Sequence, residues 1–494
     1  MNNLPLHDVL IAGAGPVGLL LACELALAGV NVLVLEREPH ADAPLKHAPL
    51  GMRGLSVATA ELLDRRGLLD ELLAQAASRR VRAGHFAGID LDPARIDVAR
   101  WPYRLPNPAD TPVATDMAAV EAVLAARAAA LGVSVVRGHA VTTLDLRDDD
   151  VLARTDTQAF RARWLVGCDG GRSAVRKLAS FDFPGTEPEF TAYSALVDIV
   201  NPDALPTGRH VTDAGFFVNE GGRIAIADFD GGAFDRTQAI TREHLQAVLR
   251  RVSGTAVTLA AVHRATTFTD RARQASAYRR GRVLLAGDAA HVHSALGGQG
   301  LNAGLGDAFN LGWKLAATVR GDAPGGLLDT YHAERHPVGA WVLEWSRAQA
   351  ALMRPGAPAR ALEGIVRELI DTVDGATHLA AQMWGVAWRH DLGADHPLVG
   401  RSAPDFVFDD GSRLAEHLRD GRGVLVDFDA RLAPARARAR ARMRHVGVDA
   451  RERLGLSALL VRPDGIVAWA CDGASTASEV DVAVERWFGE PRPQ

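Results

Sequence analysis

Residues 8–36 read DVLIAGAGPVGLLLACELALAGVNVLVLE. VLIA is a short apolar run of the kind a parallel strand shows when both faces of its sheet are covered. Gly13, Gly15 and Gly18 follow in GxGxxG spacing, with Pro16 and Val17 among them, and Val17 to Ala28 has the length and composition of a helix. A second apolar run, VNVLVLE, ends on Glu36. Gly13 allows a tight turn, Gly15 lets backbone approach a pyrophosphate, and Gly18 lets helix pack on strand. The helix start offers free N–H groups and the positive end of its dipole to phosphates. Glu36 can accept hydrogen bonds from ribose hydroxyls, and it disfavours a 2′-phosphate because two negative charges would meet. The glycine spacing alone is a weak signal. Strand, helix, second strand and terminal acid together read as a dinucleotide-binding unit, which suits FAD and NAD alike.

Two further turns repeat the device. LVGCDGGRSAVRKLA (165–179) runs from a strand through Asp169-Gly170-Gly171 into a helix beginning near Ser173. VLLAGDAAH (283–291) carries Gly287-Asp288, and the glycine-dense stretch after it enters a helix expected near Asn302. An aspartate at a strand's end can hold a sugar or ribityl hydroxyl while the next helix points its dipole at phosphate. Three such turns predict one elongated ligand. His291 and His293 stand only two residues apart, so no metal site is expected.

Composition narrows the class. The chain has 494 residues, too many for one ordinary core, with 48% hydrophobic and 23% charged residues. Its net charge of −5 gives no general attraction to nucleic acid or anionic membrane. Three dispersed cysteines, Cys23, Cys168 and Cys471, form no CxxC, which argues against a disulfide framework or a dithiol centre. MNNLPLHD lacks the basic start of a signal peptide, and no apolar run is long enough to span a bilayer; a cytoplasmic location is expected.

GAGPVG with Glu36, VGCDGGRSAVR and RVLLAGDAAHVHSALGGQGLNAGLGDAFNLGWKLA together resemble the class A flavoprotein aromatic hydroxylases. These are single-component FAD-dependent monooxygenases that consume NADPH or NADH, and the similarity spans roughly residues 8–390. GHFAGIDLD (84–92) and the C-terminal segment resemble the hydroxylases of polyketides and polycyclic antibiotics more narrowly. The resemblance implies tightly but non-covalently bound FAD, with Gly287 and Asp288 at the ribityl chain and Asp169 in the second turn. The flavin-side loop, Ala295 to Gly300 with Gly297 and Gly298, would pass the isoalloxazine, and Leu301 and Asn302 would meet its pyrimidine edge. Arg53 would contact FAD, Arg37 the adenosine end, and the Val141 backbone the adenine. Ala295 stands where the family usually has proline, and Met117 where it commonly has glutamine near the flavin. No catalytic side chain is singled out, because the flavin carries the chemistry. The implied reaction uses O2, through a flavin C4a-hydroperoxide, to hydroxylate a bulky polycyclic aromatic molecule. A Baeyer–Villiger insertion or a non-oxygenating oxidase or reductase is the alternative.

The expected fold is α/β with an α+β middle. Residues 1–75, 100–180 and 276–390 form a Rossmann-like FAD-binding domain with long helices. Residues 76–99 and 181–275 form a β-sheet substrate domain, and 391–494 a thioredoxin-like domain lacking CxxC. GGRIAIADFD and TLAAVHRATTF alternate as antiparallel strands do. Phe86, Trp101, Tyr103, Phe216 and Phe217 are candidates for the substrate wall, and Asp228 for a polar contact. VRPDGIVAW reads as a hairpin turning at Asp464-Gly465. RLAPARARARARMRHVG (431–447) reads as a solvated basic helix, since it has no aromatic stacking residues for nucleic acid. A monomer or homodimer is expected.

Overall fold

The computed structural model describes residues 4–81, 84–430, 432, 443–473 and 477–489. β1 (Leu6–Ala12) turns into α1 (Pro16–Leu27), which returns to β2 (Val32–Glu36). Val9, Leu10 and Ile11 are fully buried, which accounts for the unbroken apolar run. α2 (Val57–Asp64) is capped by the Ser56 hydroxyl, which accepts the Thr59 N–H at 3.2 Å. α3 (Met117–Ala130) leads to β3 (Ser134–Arg137); β4 (Ala159–Gly167) then lies parallel to β1 on the side away from β2. The short α4 (Ala174–Leu178) follows, capped by Ser173 as expected.

Here the chain leaves the first sheet unfinished. β5 (Thr191–Ile199), β6 (Gly208–Val211), β7 (Gly215–Asn219), β8 (Arg223–Asp228), α5 (Arg242–Ser253) and β9 (Leu259–Thr269) follow. The strands form an antiparallel sheet in the order β6–β7–β8–β5–β9. Alternation along these strands gives it two apolar faces. Tyr193, Phe217, Ile224 and Ile226 pack under α5 with Leu245 and Leu249. Ala192, Phe216 and Ala227 face the other way, into a cluster with Phe86 and Trp384.

The chain then re-enters the first sheet as β10 (Val283–Leu285), parallel to β4. The parallel strands now lie in the order β10–β4–β1–β2–β3. Order grows outward from β1 in both directions, so the crevice between β1 and β4 is a topological switch point, where such sheets bind ligands at their carboxyl edge. α6 (Gln299–Arg320), α7 (Thr330–Met353), α8 (Ala357–Ile370) and α9 (Val373–Met383) follow. α6 starts three residues earlier than its sequence suggests, because Gly298, in the left-handed region at φ 65°, ends the loop there.

β11 (Gly423–Asp427), β12 (Met443–Val446), β13 (Ala458–Val461) and β14 (Val467–Cys471) make a mixed sheet in the order β12–β11–β13–β14, on which α10 (Ala477–Phe488) packs. The β13–β14 hairpin turns where expected, with Gly465 at φ 75°. Of the basic stretch 431–447, residues 431 and 433–442 lie outside the described residues, and 443–446 is strand rather than helix. The hairpin tip is buried between α6 and α7: Arg462 forks onto Glu334 at 2.7 and 2.9 Å, and Asn310 donates to Asp464 at 3.1 Å. Arg66 forks onto Glu24 of α1 and also donates to the Pro463 carbonyl, both at 2.7–2.8 Å.

Candidate functional site

The three glycine–acid turns meet at the carboxyl edge of the first sheet. Gly13 has φ 106°, and a Cβ there would overlap the Cys168 carbonyl oxygen, so the first and second turns touch. A Cβ on Gly287 would lie 3.0 Å from Val17 Cγ2, so the third turn rests on the first. Gly15 is different. Its φ of −74° suits any residue, and a Cβ there would meet nothing within 4 Å. It opens onto free space beside the first turn of α1, which no side chain caps. Glu36, half-buried at the end of β2, accepts the Ala14 N–H at 2.7 Å and the Glu38 N–H at 2.9 Å, which shapes that turn. The exposed Arg37 pairs with Glu38 at 3.1 Å. Val141 is buried in the sheet's core, and half-buried Met117 opens α3 with its N–H on the Gly51 carbonyl at 3.0 Å.

Asp169 uses one of its two carboxylate oxygens within the turn. Its Oδ2 accepts the N–H groups of Ala174 and Val175 at 2.6 and 3.1 Å, holding the start of α4, while Oδ1 is buried without a hydrogen-bond partner. Asp288 is exposed at the tip of the third turn. Arg53 folds back on its own strand, with Nη1 donating to the Met52 carbonyl at 2.7 Å and the Leu50 carbonyl at 3.3 Å. Desolvation pulls its guanidinium below its usual pKa, and the charge of Asp288 opposes the shift.

The sequence reading missed the anchor of the third turn. Asp307, fully buried on α6, accepts the Gly287 N–H at 3.0 Å, meets His291 Nε2 at 2.8 Å and accepts from Arg335 Nε at 2.7 Å. Burial pushes its carboxyl upward, but Arg335 and His291 outweigh that and hold it below the usual range. His291 therefore belongs to this network, while His293 meets the Ser294 carbonyl at 2.6 Å. An acid inside an apolar helical stretch was the available signal.

The flavin-side loop closes with Gly297 and Gly298 at φ 80° and 65°, and no side chain caps α6. The Ala295 carbonyl accepts the Gly298 N–H at 3.2 Å within the loop's own turn. Asn302 uses its side chain as a brace: Oδ1 accepts the Ser56 N–H at 2.8 Å and Nδ2 donates to the Gly54 carbonyl at 2.9 Å. Only its backbone, with those of Gly300 and Leu301, remains to face a ligand; the Leu301 side chain packs on the core.

The aromatic candidates separate. Phe86, Trp101 and Phe216 share the cluster between the middle sheet and α7–α9, with Phe86 edge-on to Trp345 at 4.7 Å and Trp101 edge-on to Trp384 at 5.3 Å. Phe217 is corrected: neighbours on a strand face opposite sides, and it lies under α5 against His210. Tyr103 packs on the C-terminal core near His396 instead. Asp228 is committed to a salt bridge with Arg251 of α5. Leu296 of the flavin-side loop packs against the Phe86 cluster, so that cluster adjoins the loop.

Residues 7–346 match the family described as FAD binding domain, and residues 396–491 the family described as aromatic-ring hydroxylase, C-terminal. The chain belongs to the FAD-binding aromatic-ring hydroxylases. It is 45% identical over 503 residues to a monooxygenase of Claviceps purpurea, covering 99% of each chain. It is 39% identical to a 12-dehydrotetracycline 5-monooxygenase/anhydrotetracycline 6-monooxygenase of Streptomyces rimosus, covering 98% of this chain and 99% of that one. The solved OxyS anhydrotetracycline hydroxylase from Streptomyces rimosus superposes with a TM-score of 0.88 at 37% identity, covering 99% of this chain and 100% of that one. The expectation of an α/β FAD-dependent monooxygenase, of the kind that uses NAD(P)H and O2, therefore holds for this hydroxylase. No helix among the described residues is long and apolar enough to cross a membrane.

The residues present fit FAD. The space over Gly15 beside an uncapped helix start suits a pyrophosphate, and the partnerless Asp169 Oδ1 and the exposed Asp288 suit hydroxyls. The uncapped start of α6 suits an electron-rich ring edge.

Proposed function

We propose that this chain hydroxylates a bulky, oxygen-bearing polycyclic aromatic molecule bound between the flavin-side loop and the middle sheet. One observation carries the substrate class. Trp101 Nε1 and Trp345 Nε1 are buried in the Phe86 cluster and make no hydrogen bond. An unpaired buried N–H costs about 1–3 kcal/mol, so such donors favour a ligand whose oxygens accept from them. Phe86 and Phe216 supply flat apolar wall, as a fused-ring ligand needs. The tetracycline monooxygenase relative is named for a ligand of that chemistry.

Bound FAD supplies hydride acceptance from NAD(P)H and activation of O2. The protein's part is binding and exclusion of water. Gly13, Gly15, Pro16, Val17 and Gly18 would hold the pyrophosphate, Glu36 the ribose, and Asp169, Asp288 and Arg53 the middle of the cofactor. The Gly300–Asn302 backbone would face the pyrimidine edge, worth about 0.3–2 kcal/mol toward a reduced, anionic ring. The Phe86 cluster keeps water from that face. The deciding assay offers anhydrotetracycline and other fused-ring phenols to the FAD-loaded protein with NADPH or NADH. Accelerated nicotinamide oxidation with a product one oxygen atom heavier is expected. Peroxide alone, or a product without added oxygen from every compound, refutes the reading.

Gly15 gives a sharper test of the cofactor placement. Because a Cβ there meets open space at an ordinary φ, Gly15→Leu should leave the FAD-free fold within about 1 kcal/mol of the parent. The same side chain would fill the space assigned to the pyrophosphate, so FAD should bind at least about tenfold more weakly, or about 1.4 kcal/mol. Thermal unfolding of the apoprotein and fluorescence titration with FAD separate the two effects.

A further inference from the structure

Gln349 lies on α7, fully buried, one turn beyond Trp345. Its Oε1 accepts the Ala87 N–H at 3.0 Å. Ala87 sits at φ 50° in the turn of the hairpin 85–90, a conformation that non-glycine residues adopt only when something holds them there. The other end of the same amide faces the flavin-side loop. Gly297 approaches it so closely that a Cβ there would overlap Nε2, and Gly297 itself is at φ 80°. One side chain thus touches two tight turns that are distant in sequence, each with a residue at positive φ. The first presents Phe86 to the proposed substrate cluster; the second is the loop that the family places beside the isoalloxazine.

We propose that Gln349 is a positioning residue that ties the substrate hairpin to the flavin-side loop, so that a ligand pressing on Phe86 sets the loop on which oxygen transfer depends. The tie does structurally what a proline at position 295 would do covalently: it limits where the loop can go. This inference rests on the proposed function for its consequence in turnover, but not for the mechanical link, and the two can be tested apart.

The test uses the FAD-loaded full chain and hydrogen–deuterium exchange of the segments 84–90 and 294–300. Gln349→Met keeps the volume and removes the hydrogen bond; Gln349→Glu keeps an acceptor for the Ala87 N–H. Exchange in both segments should rise together, at least tenfold, in the Met variant and much less in the Glu variant. A merely space-filling side chain gives the opposite ranking, since Met packs well in a core and Glu carries a charge into it. Gly297→Ala, which opens the contact from the loop side, should raise exchange at 84–90 as well. Unchanged exchange at 294–300 in Gln349→Met, or a Glu variant looser than the Met variant, overturns the tie. With anhydrotetracycline as probe, Gln349→Met should also lower the ratio of oxygenated product to peroxide at least fivefold. If the parent oxygenates nothing, the functional reading fails while the exchange result still decides the link.

Discussion

Asp307→Ala is expected to cost about 3–5 kcal/mol of folding stability and to yield protein that has lost most of its FAD. The first effect follows from what the carboxylate leaves behind. Arg335 and His291 both lie buried against it, and neither pairs with another anion among the described residues. The Gly287 N–H loses its acceptor too, which frees the turn that carries Asp288. Asp307→Asn keeps an acceptor for that N–H but no charge for Arg335, so it should retain more flavin than the alanine variant while still losing stability. The pH dependence has a definite sign. Because the folded carboxyl is held below its ordinary value of 3.8, its contribution is complete above that value and is lost as pH falls through the folded pKa. Urea unfolding of the apoprotein between pH 3 and 7, with flavin content of the purified variants, reads both effects. An alanine variant as stable as the parent, with full flavin, would show that the turn is held by something else.

The contrast between Asp307 and Asp288 shows what a sequence discloses. Each of the three turns is local: a buried strand, glycines and a helix start follow one another along the chain, with an acid in the second and third turns and at the end of the next strand in the first. The physical demand falls on the main chain, so residue types betray it. Asp307, Arg335 and Gln349 instead sit inside long helices, where any side chain fits the helical period, and their partners lie on other elements. The wall residues fail for a related reason. Alternation says that Phe216 and Phe217 face opposite ways, but which face meets α5 depends on how the sheet is covered. Tyr103 looked like a neighbour of Trp101, yet it packs against a core built about three hundred residues later. Asp228 looked like a free polar group until α5 placed Arg251 beside it.

The docking of the C-terminal hairpin was equally invisible, and it supports the second large effect. Glu334→Gln should destabilise the protein by about 3–5 kcal/mol, because it leaves Arg462 and Lys314 buried with one fewer anion. Glu334 is bonded by Arg462 at both oxygens and by Lys314 at 2.9 Å; burial pushes its carboxyl upward, but Arg462 first and Lys314 second hold it well below its usual pKa. Its contribution is therefore present above about pH 4.5 and fades as pH falls through the folded pKa. Lys314 behaves oppositely. Burial pulls its ammonium down to about 7; Glu334 opposes that shift and the nearby charge of Arg462 adds to it, so desolvation prevails. The unfolded chain then holds a proton that the folded chain lacks between about 7 and 10.5, so the parent should gain stability as pH rises through that window. Lys314→Met should abolish the alkaline gain and cost less than Glu334→Gln, because Arg462 still balances Glu334. Denaturant unfolding at pH 6 and pH 9 separates these outcomes. A loss below about 1 kcal/mol in Glu334→Gln, or an alkaline gain that survives in Lys314→Met, would mean that the hairpin is held by its apolar contacts with Trp313 and the C-terminal core rather than by these charges.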